Sequence, residues 1–497
     1  MMKMKLLALL MLFFISSSMV MGYRKGDEEY RGEKRGEGAG GGPGGRGEEE
    51  EGEQDMFILH KSEQVVKTEG GQVRVVRGWN RGQSAPAGRG HQHQAQGFIN
   101  QNLMHIGFIT MEPKTLFIPQ YIDSSLIMFV RRGEAKIGWI YQDGLVEKNL
   151  KMGDVYRIPA GSTFYIVNTG KGQRLQIISS IDTSESLGRG VFQSFFIGGG
   201  TNPSSVLAGF DPKTLSTAFN VTTSQLEAIM TSQQGGPIIY LESGHAPGIM
   251  ASIMQLKESE DGSQGWSWRK LLNSVWVNRG KKGGRRTKAG SPDSYNIYDR
   301  TPDFKNNYGW SVALDEHEYT PLSHSGIGVY LVNLTAGSMM APHVNPTATE
   351  YGIVLSGAGT IQVVFPNGTL AMNTRVQEGD VFWVPRYFPF CQIASRSGPM
   401  EFFGFTTSAR KNRPQFLAGA SSILQTMSGP ELAMSFGVSE KRLRSLINAQ
   451  RESIILPSAP VSEPDELTKE RRNENAEKDG MGSLIKNIGS EMIMGFD

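Results

Sequence analysis

Cysteine is nearly absent from this 497-residue chain. Cys391 is the only one, so no internal disulfide can form and stability must come from core packing and assembly. A charge excess is missing too. Lys and Arg number 51 and Asp and Glu 49, a formal net charge of +2, which gives no bulk electrostatic reason to bind nucleic acid. Beyond the first residues no apolar run reaches about 18, so nothing reads as a membrane span.

What is present begins at the N-terminus. Residues 1–22, MMKMKLLALLMLFFISSSMVMG, carry Lys3 and Lys5, an apolar run from Leu6 to Ile15, and small residues after it, with Val20 and Gly22 placed for cleavage. That pattern is a secretory signal. Residues 23–55 are glycine and charge with little to bury and are expected to be disordered, as is the tail 457–497, although SLIKNIGSEMIMGF at its end could form a short amphipathic helix. A basic stretch, NRGKKGGRRTKAGSPDS, closes a connecting segment 236–294 and reads as a solvated, easily nicked loop. Entry into the secretory pathway makes three sequons meaningful, at Asn220, Asn333 and Asn367. Asn367-Gly368 also reads as a hairpin turn, which makes Asn367 the best glycan acceptor of the three.

The length suits two or three domains, and 38% hydrophobic residues suffice for ordinary cores. Two blocks, 56–235 and 295–456, are copies of one another. GDVYRIPAGSTFYIVN is matched by GDVFWVPRYFPFCQIA, and LSTAFNVTTSQLEAIM by LAMSFGVSEKRLRSLI. Gly133 maps to Gly357 at an offset of 224, Gly153 to Gly379 at 226 and Leu226 to Leu443 at 217, so the order is kept with small drifts and a tandem duplication follows. Alternating stretches such as TIQVVF, punctuated by Gly, Pro, Asn and Asp, predict short strands and an all-β sandwich or barrel in each copy. The period then changes. Leu226, Ile229 and Met230, and likewise Leu443, Leu446 and Ile447, recur at helical spacing, behind Thr222 and Ser439 as N-caps. Each apolar stripe needs a cover, and a neighbouring chain would supply it in a head-to-tail ring.

These blocks resemble cupin barrels, whose motifs G-x5-H-x-H-x3/4-E-x6-G and G-x5-P-x-G-x2-H-x3-N point three imidazoles and a carboxylate at a divalent metal. The first copy keeps Gly133, Gly153, Pro159, Gly161 and Asn168, but Phe164 stands in a histidine slot, Leu126 in the glutamate slot, and Gln120 and its neighbours offer no histidine. That barrel reads as metal-free. The second copy keeps Gly337, His343, Glu350, Gly357, Gly379 and Pro385, while Asn345, Tyr387, Phe390 and Ala394 replace the other motif residues. His343 and Glu350 are the candidate metal ligands, but a transition metal usually needs three or four groups. His317 and His324 are further imidazoles that a neighbouring strand could bring in. Cys391, one residue beyond the Phe390 slot, should face the other way.

The whole array is similar to plant vicilins, the 7S seed storage globulins. YNIYDRTPDFKNNYGW, APHVNPTATEYGIVLSGAG and VPRYFPFCQIASRSGPMEFFGF carry that resemblance, over roughly residues 56 to 456. It implies two tandem cupin barrels with helical extensions, a homotrimer, a vacuole-directed nutrient reserve, no cofactor and no catalytic residue. The alternatives are a small-ligand module with a defence or carrier role and, behind it, a metal-dependent bicupin enzyme. An inward arginine, Arg157, Arg386, Arg131 or Arg132, could hold a small anion in a barrel.

Overall fold

A computed structural model describes residues 56–78, 104–142, 144–188, 190–241 and 293–457. The expected signal, leader, basic loop and tail fall outside these residues, apart from the loop's last two. Among the described residues no helix is long and apolar enough to cross a membrane.

Four antiparallel sheets form two barrels, and the duplication is visible strand by strand. In the first copy Met104–Met111, Leu175–Asp182, Ser125–Arg132 and Asp154–Ile158 lie side by side; in the second the order is Gly328–Leu334, Met400–Thr406, Glu350–Ser356 and Val381–Val384. The opposing sheets repeat as well. Thr115–Ile122, Phe164–Asn168, Glu134–Tyr141 and Gly144–Lys151 are echoed by His343–Val344, Pro389–Ala394, Ala358–Val364 and Leu370–Gln377.

The motif glycines earn their places through backbone geometry. Gly133 and Gly357 sit at φ +87° and +79°, and a Cβ on Gly357 would lie 1.9 Å from the Pro399 carbonyl oxygen. Asn168, the motif's last residue, is fully buried. Its amide donates to the carbonyls of Met111, Glu112 and Gln173 at 3.1, 3.0 and 2.8 Å, and its Oδ1 accepts from Gly170 N at 2.9 Å. It ties a loop to the barrel wall, a purpose that outlasts any metal.

The barrels exchange short arms. Phe57–Leu59 runs antiparallel to the second barrel, with Ile58 opposite Phe382, Leu59 N donating to Val381 O and Trp383 N donating to Phe57 O. Reciprocally, Tyr295–Asn296 pairs with the first barrel at Val155 and Asp154. Between the barrels Phe129 stacks on Phe403 at 3.9 Å and 12°, inside one continuous apolar core.

Helices follow each barrel: α1 (Pro212–Phe219) and α2 (Thr223–Met230) after the first, α3 (Ile423–Thr426), α4 (Pro430–Ser435) and α5 (Glu440–Ile447) after the second. Thr222 and Ser439 are the N-caps of α2 and α5, Thr222 in a full capping box with Gln225. Only part of each predicted stripe faces outward. Leu226, Leu443 and Ile447 are buried within the chain, the last two against Ala433 of α4, and Met230 is half-buried. Ile229 and Leu446 remain 66% and 71% exposed. The short helices pack first against one another within each extension, and that consumes the inner half of the stripe.

Candidate functional site

The first barrel is filled. Met128, Tyr156 and Phe164 pack inside it, and Trp139 Nε1 donates to the Tyr156 hydroxyl at 2.7 Å. Leu126 and Gln120 occupy the other ligand slots, both buried. The buried charges of this barrel are elsewhere: Lys136 pairs with Glu147, both side chains almost fully buried.

The second barrel holds a cavity of about 670 Å³. Its walls include Val332, Phe402, Met340 and Phe416, and its polar lining includes His343, Glu350, Tyr330 and Gln392. Gly352 stands where the first barrel has Met128, at the offset of 224, and the Phe382 ring packs over it. Gly352 cannot be enlarged, because a Cβ there would meet the Phe382 ring at 2.1 Å.

His343 and Glu350 both face this space but are held by different partners. The His343 Nδ1 lies 2.7 Å from the Ala341 carbonyl, so Nδ1 carries the proton and donates. Phe390, in the vacated histidine slot, packs on the His343 ring at 4.1 Å between centroids. Burial lowers the imidazole pKa to about 4, only partly opposed by the Ala341 bond. Glu350 accepts from Asn345 Nδ2 at 2.7 Å. Burial still raises its carboxyl to about 7, the Asn345 bond acting in the opposite direction. Nearby, the Tyr330 hydroxyl and Gln392 Oε1 are buried without a hydrogen-bond partner among the described residues.

Asn345 was legible only as a lost histidine. In the structure it organises the site: its Oδ1 accepts from Thr347 N and Ala348 N while its amide holds Glu350. No third ligand joins the pair. Among the described residues no group of three or more His, Cys, Asp and Glu is placed to hold a metal. His317 is exposed on the cavity rim, and His324 lines a separate groove with Arg157, Tyr295 and Tyr319. Cys391 turns to the opposite face and contacts Gln362, with burial raising its thiol to about 11.

The candidate arginines are placed differently, and Arg157, half-buried along the groove with Tyr319, keeps its Nε buried without a hydrogen-bond partner among the described residues. Arg131 bonds the Leu355 carbonyl and Glu378 across the two barrels, Arg132 is exposed, and Arg386 is exposed with its guanidinium 5.4 Å from the Tyr387 ring centroid. The cations at the cavity mouth are ones sequence reasoning passed over, Arg410, Lys411 and Arg413. Their signal was the short run ARKNR after the last barrel strand.

The cupin sequence profile matches residues 85–227 and 295–444. A vicilin-like seed storage protein of Arabidopsis thaliana is 54% identical over 438 residues, 83% of this chain and 82% of that protein. The chain is a vicilin-like member of the cupin family. A second Arabidopsis vicilin-like seed storage protein is 32% identical over 379 residues, covering 73% of this chain and 50% of that one. Among solved structures, hazelnut (Corylus avellana) vicilin matches with a TM-score of 0.64 at 22% identity, over 81% of this chain and 99% of that one. A Solanum melongena vicilin described as having different anionic ligands in structurally similar pockets matches at 0.67 and 21%, over 83% and 100%. The expected bicupin architecture of this vicilin-like chain is therefore borne out.

The three sequons stand in different settings. Asn367 is exposed, and its Oδ1 accepts from both Thr369 N and Thr369 Oγ1. Asn220 is exposed as the left-handed C-cap of α1. Asn333 sits mid-strand, paired with Trp310 on one side and Glu401 on the other.

Proposed function

We propose that the protein is a seed storage globulin, a secreted and vacuole-directed reserve that performs no catalysis. The observation that carries this reading is the filling of ligand slots: Leu126, Gln120 and Phe164 in one barrel, and Asn345 and Phe390 in the other. The residues at those motif slots pack or cap loops, and the names of the relatives at 54% and 32% identity point the same way. Protein quantified through seed filling and germination tests it. A major fraction of ripe-seed protein that vanishes after imbibition is expected; a constant trace amount would count against storage.

The assembly in this reading is a homotrimer. Ile229 and Leu446, with Phe219 at 52% and Phe436 at 57% exposure, offer apolar surface at both helical ends of the chain. Two similar ends on one chain suit head-to-tail contacts that close into a ring. Asn367 is the proposed glycan acceptor. A second reading, binding of a small anion at the second barrel, is favoured by the three cations at the cavity mouth and by the ligands of the Solanum melongena protein.

A further inference from the structure

The arm on the second barrel has a direction. Ile58 lies opposite Phe382 in an antiparallel bridge, and Trp383 Nε1 donates to the Met56 carbonyl at 3.4 Å. Each residue back along the arm therefore advances one residue on the partner. Beyond Met56 that direction points toward Pro385, Arg386 and Tyr387. The six residues leading into the arm are EEGEQD, with acids at 50, 51, 53 and 55.

Cations wait in that direction. Arg386 is exposed and makes no ion pair with a described acid. Next to it, Tyr387 N donates to the Asn345 carbonyl, and the Thr347 hydroxyl donates to Asn412 Oδ1 at 2.6 Å. Those two bonds bring the loop with Arg410, Lys411 and Arg413 onto the same rim. All three are exposed and none forms an ion pair with a described acid, although Glu316 N bonds the adjacent Ala409 carbonyl. Six extended residues reach about 20 Å, enough to cross three adjoining loops.

We propose that the acidic segment 50–55 docks in cis on the basic rim formed by Arg386, Arg410, Lys411 and Arg413, at the mouth of the second-barrel cavity. Four acids meet four cations that form no ion pair among the described residues. The duplicated arm supplies a precedent within the chain: Asp293, two residues before the arm on the first barrel, forms an ion pair with Lys148. Contacts of this kind are individually weak and screened by salt, so docking depends on ionic strength. It is independent of the storage reading, and it makes the segment a competitor of any small anion for the same mouth.

Zero-length carbodiimide cross-linking of the full chain tests this. At low salt, peptide mapping should find Lys411 joined to an acid of segment 50–55, and about 0.5 M NaCl should abolish the link. Lys411 joined only to neighbours such as Asp315 or Glu316, or to nothing, would overturn the proposal. To separate cis from trans docking, a chain with intact leader and K411R is co-expressed with one carrying Lys411 and E50Q/E51Q/E53Q/D55N. A persistent link in that mixed assembly would mean a neighbouring copy supplies the segment, which also overturns it. As a second readout, a Glu-specific protease should cut segment 50–53 several-fold faster in R410Q/K411Q/R413Q, and equal rates would refute docking.

Discussion

Replacing Glu350 by Gln should change how stability depends on pH far more than stability itself. The native carboxyl titrates at about 7 against an ordinary 4.5, so between those values the native chain holds a proton that the unfolded chain has released. Stability from this group is therefore lost as pH rises from 4.5 to 7, about 3 kcal/mol at 1.36 kcal/mol per unit. His343 has the opposite sign. Its native value of about 4 against 6.5 means the unfolded chain takes up a proton that the native chain refuses, and stability is lost as pH falls from 6.5 to 4, again about 3 kcal/mol. Over about pH 4.5 to 6.5 the two slopes cancel.

The Gln side chain keeps an acceptor for Asn345 Nδ2 and cannot ionise. In E350Q the His343 slope stands alone, so variant minus wild type should climb by about 3 kcal/mol between pH 4.5 and 7.5. H343Q should show the reverse, a difference that falls with rising pH between 4 and 6.5. Urea unfolding followed by tryptophan fluorescence at closely spaced pH values measures both, and other titrating groups cancel in the difference. A flat E350Q difference, within about 1 kcal/mol over that range, would refute a buried carboxyl that retains its proton.

Four further outcomes follow from the geometry. Tyr387 stands at φ +73°, where the first copy has Gly161 at +72°, so Tyr387→Gly should raise stability by about 1 kcal/mol in urea unfolding. Ile229→Glu with Leu446→Glu should yield soluble, folded monomers by sedimentation velocity, whereas Leu226→Glu with Leu443→Glu should fail to fold because those side chains are buried. Asn367→Gln should remove one glycan's mass in a plant secretory host and Asn333→Gln should remove none. Protein purified without added metal should carry well under one equivalent of Mn, Fe, Cu or Zn by elemental analysis, with a stoichiometric metal at His343 as the result that reopens the enzyme reading.

The barrels were legible because glycine is demanded by geometry there. Gly153 and Gly379 take φ +92° and +94° at equivalent turns, and such positions survive duplication when ligands do not. The N-caps were legible for a similar reason, since a hydroxyl before an apolar helical period has one strong local use. The arm exchange was not: Ile58 and Phe382 are joined by a single bridge across more than 300 residues, and no periodicity encodes it. Helical spacing identified an apolar stripe but not which part the neighbouring helix would cover, hence Leu226 inside and Ile229 outside. Asn345 and the Arg410 loop were missed because their meaning depends on neighbours distant in sequence, Glu350 through a side-chain bond and the cavity mouth through strand order.

The two copies fill their motif ligand slots differently, and the difference has a physical consequence. In the first barrel, large side chains at Met128, Tyr156 and Phe164 occupy the interior. In the second, His343 and Glu350 are buried along a cavity. Either residue alone is a liability. A lone buried histidine tilts stability against acid, and a lone buried carboxyl tilts it against neutral pH, each by about 3 kcal/mol, a large fraction of typical domain stability. Together their pH dependences cancel over about pH 4.5 to 6.5, but the cancellation has a cost. Across that range the two contributions sum to about 3 kcal/mol of lost stability at every pH, so removing either group should stabilise the chain, E350Q most near neutral pH and H343Q most in acid.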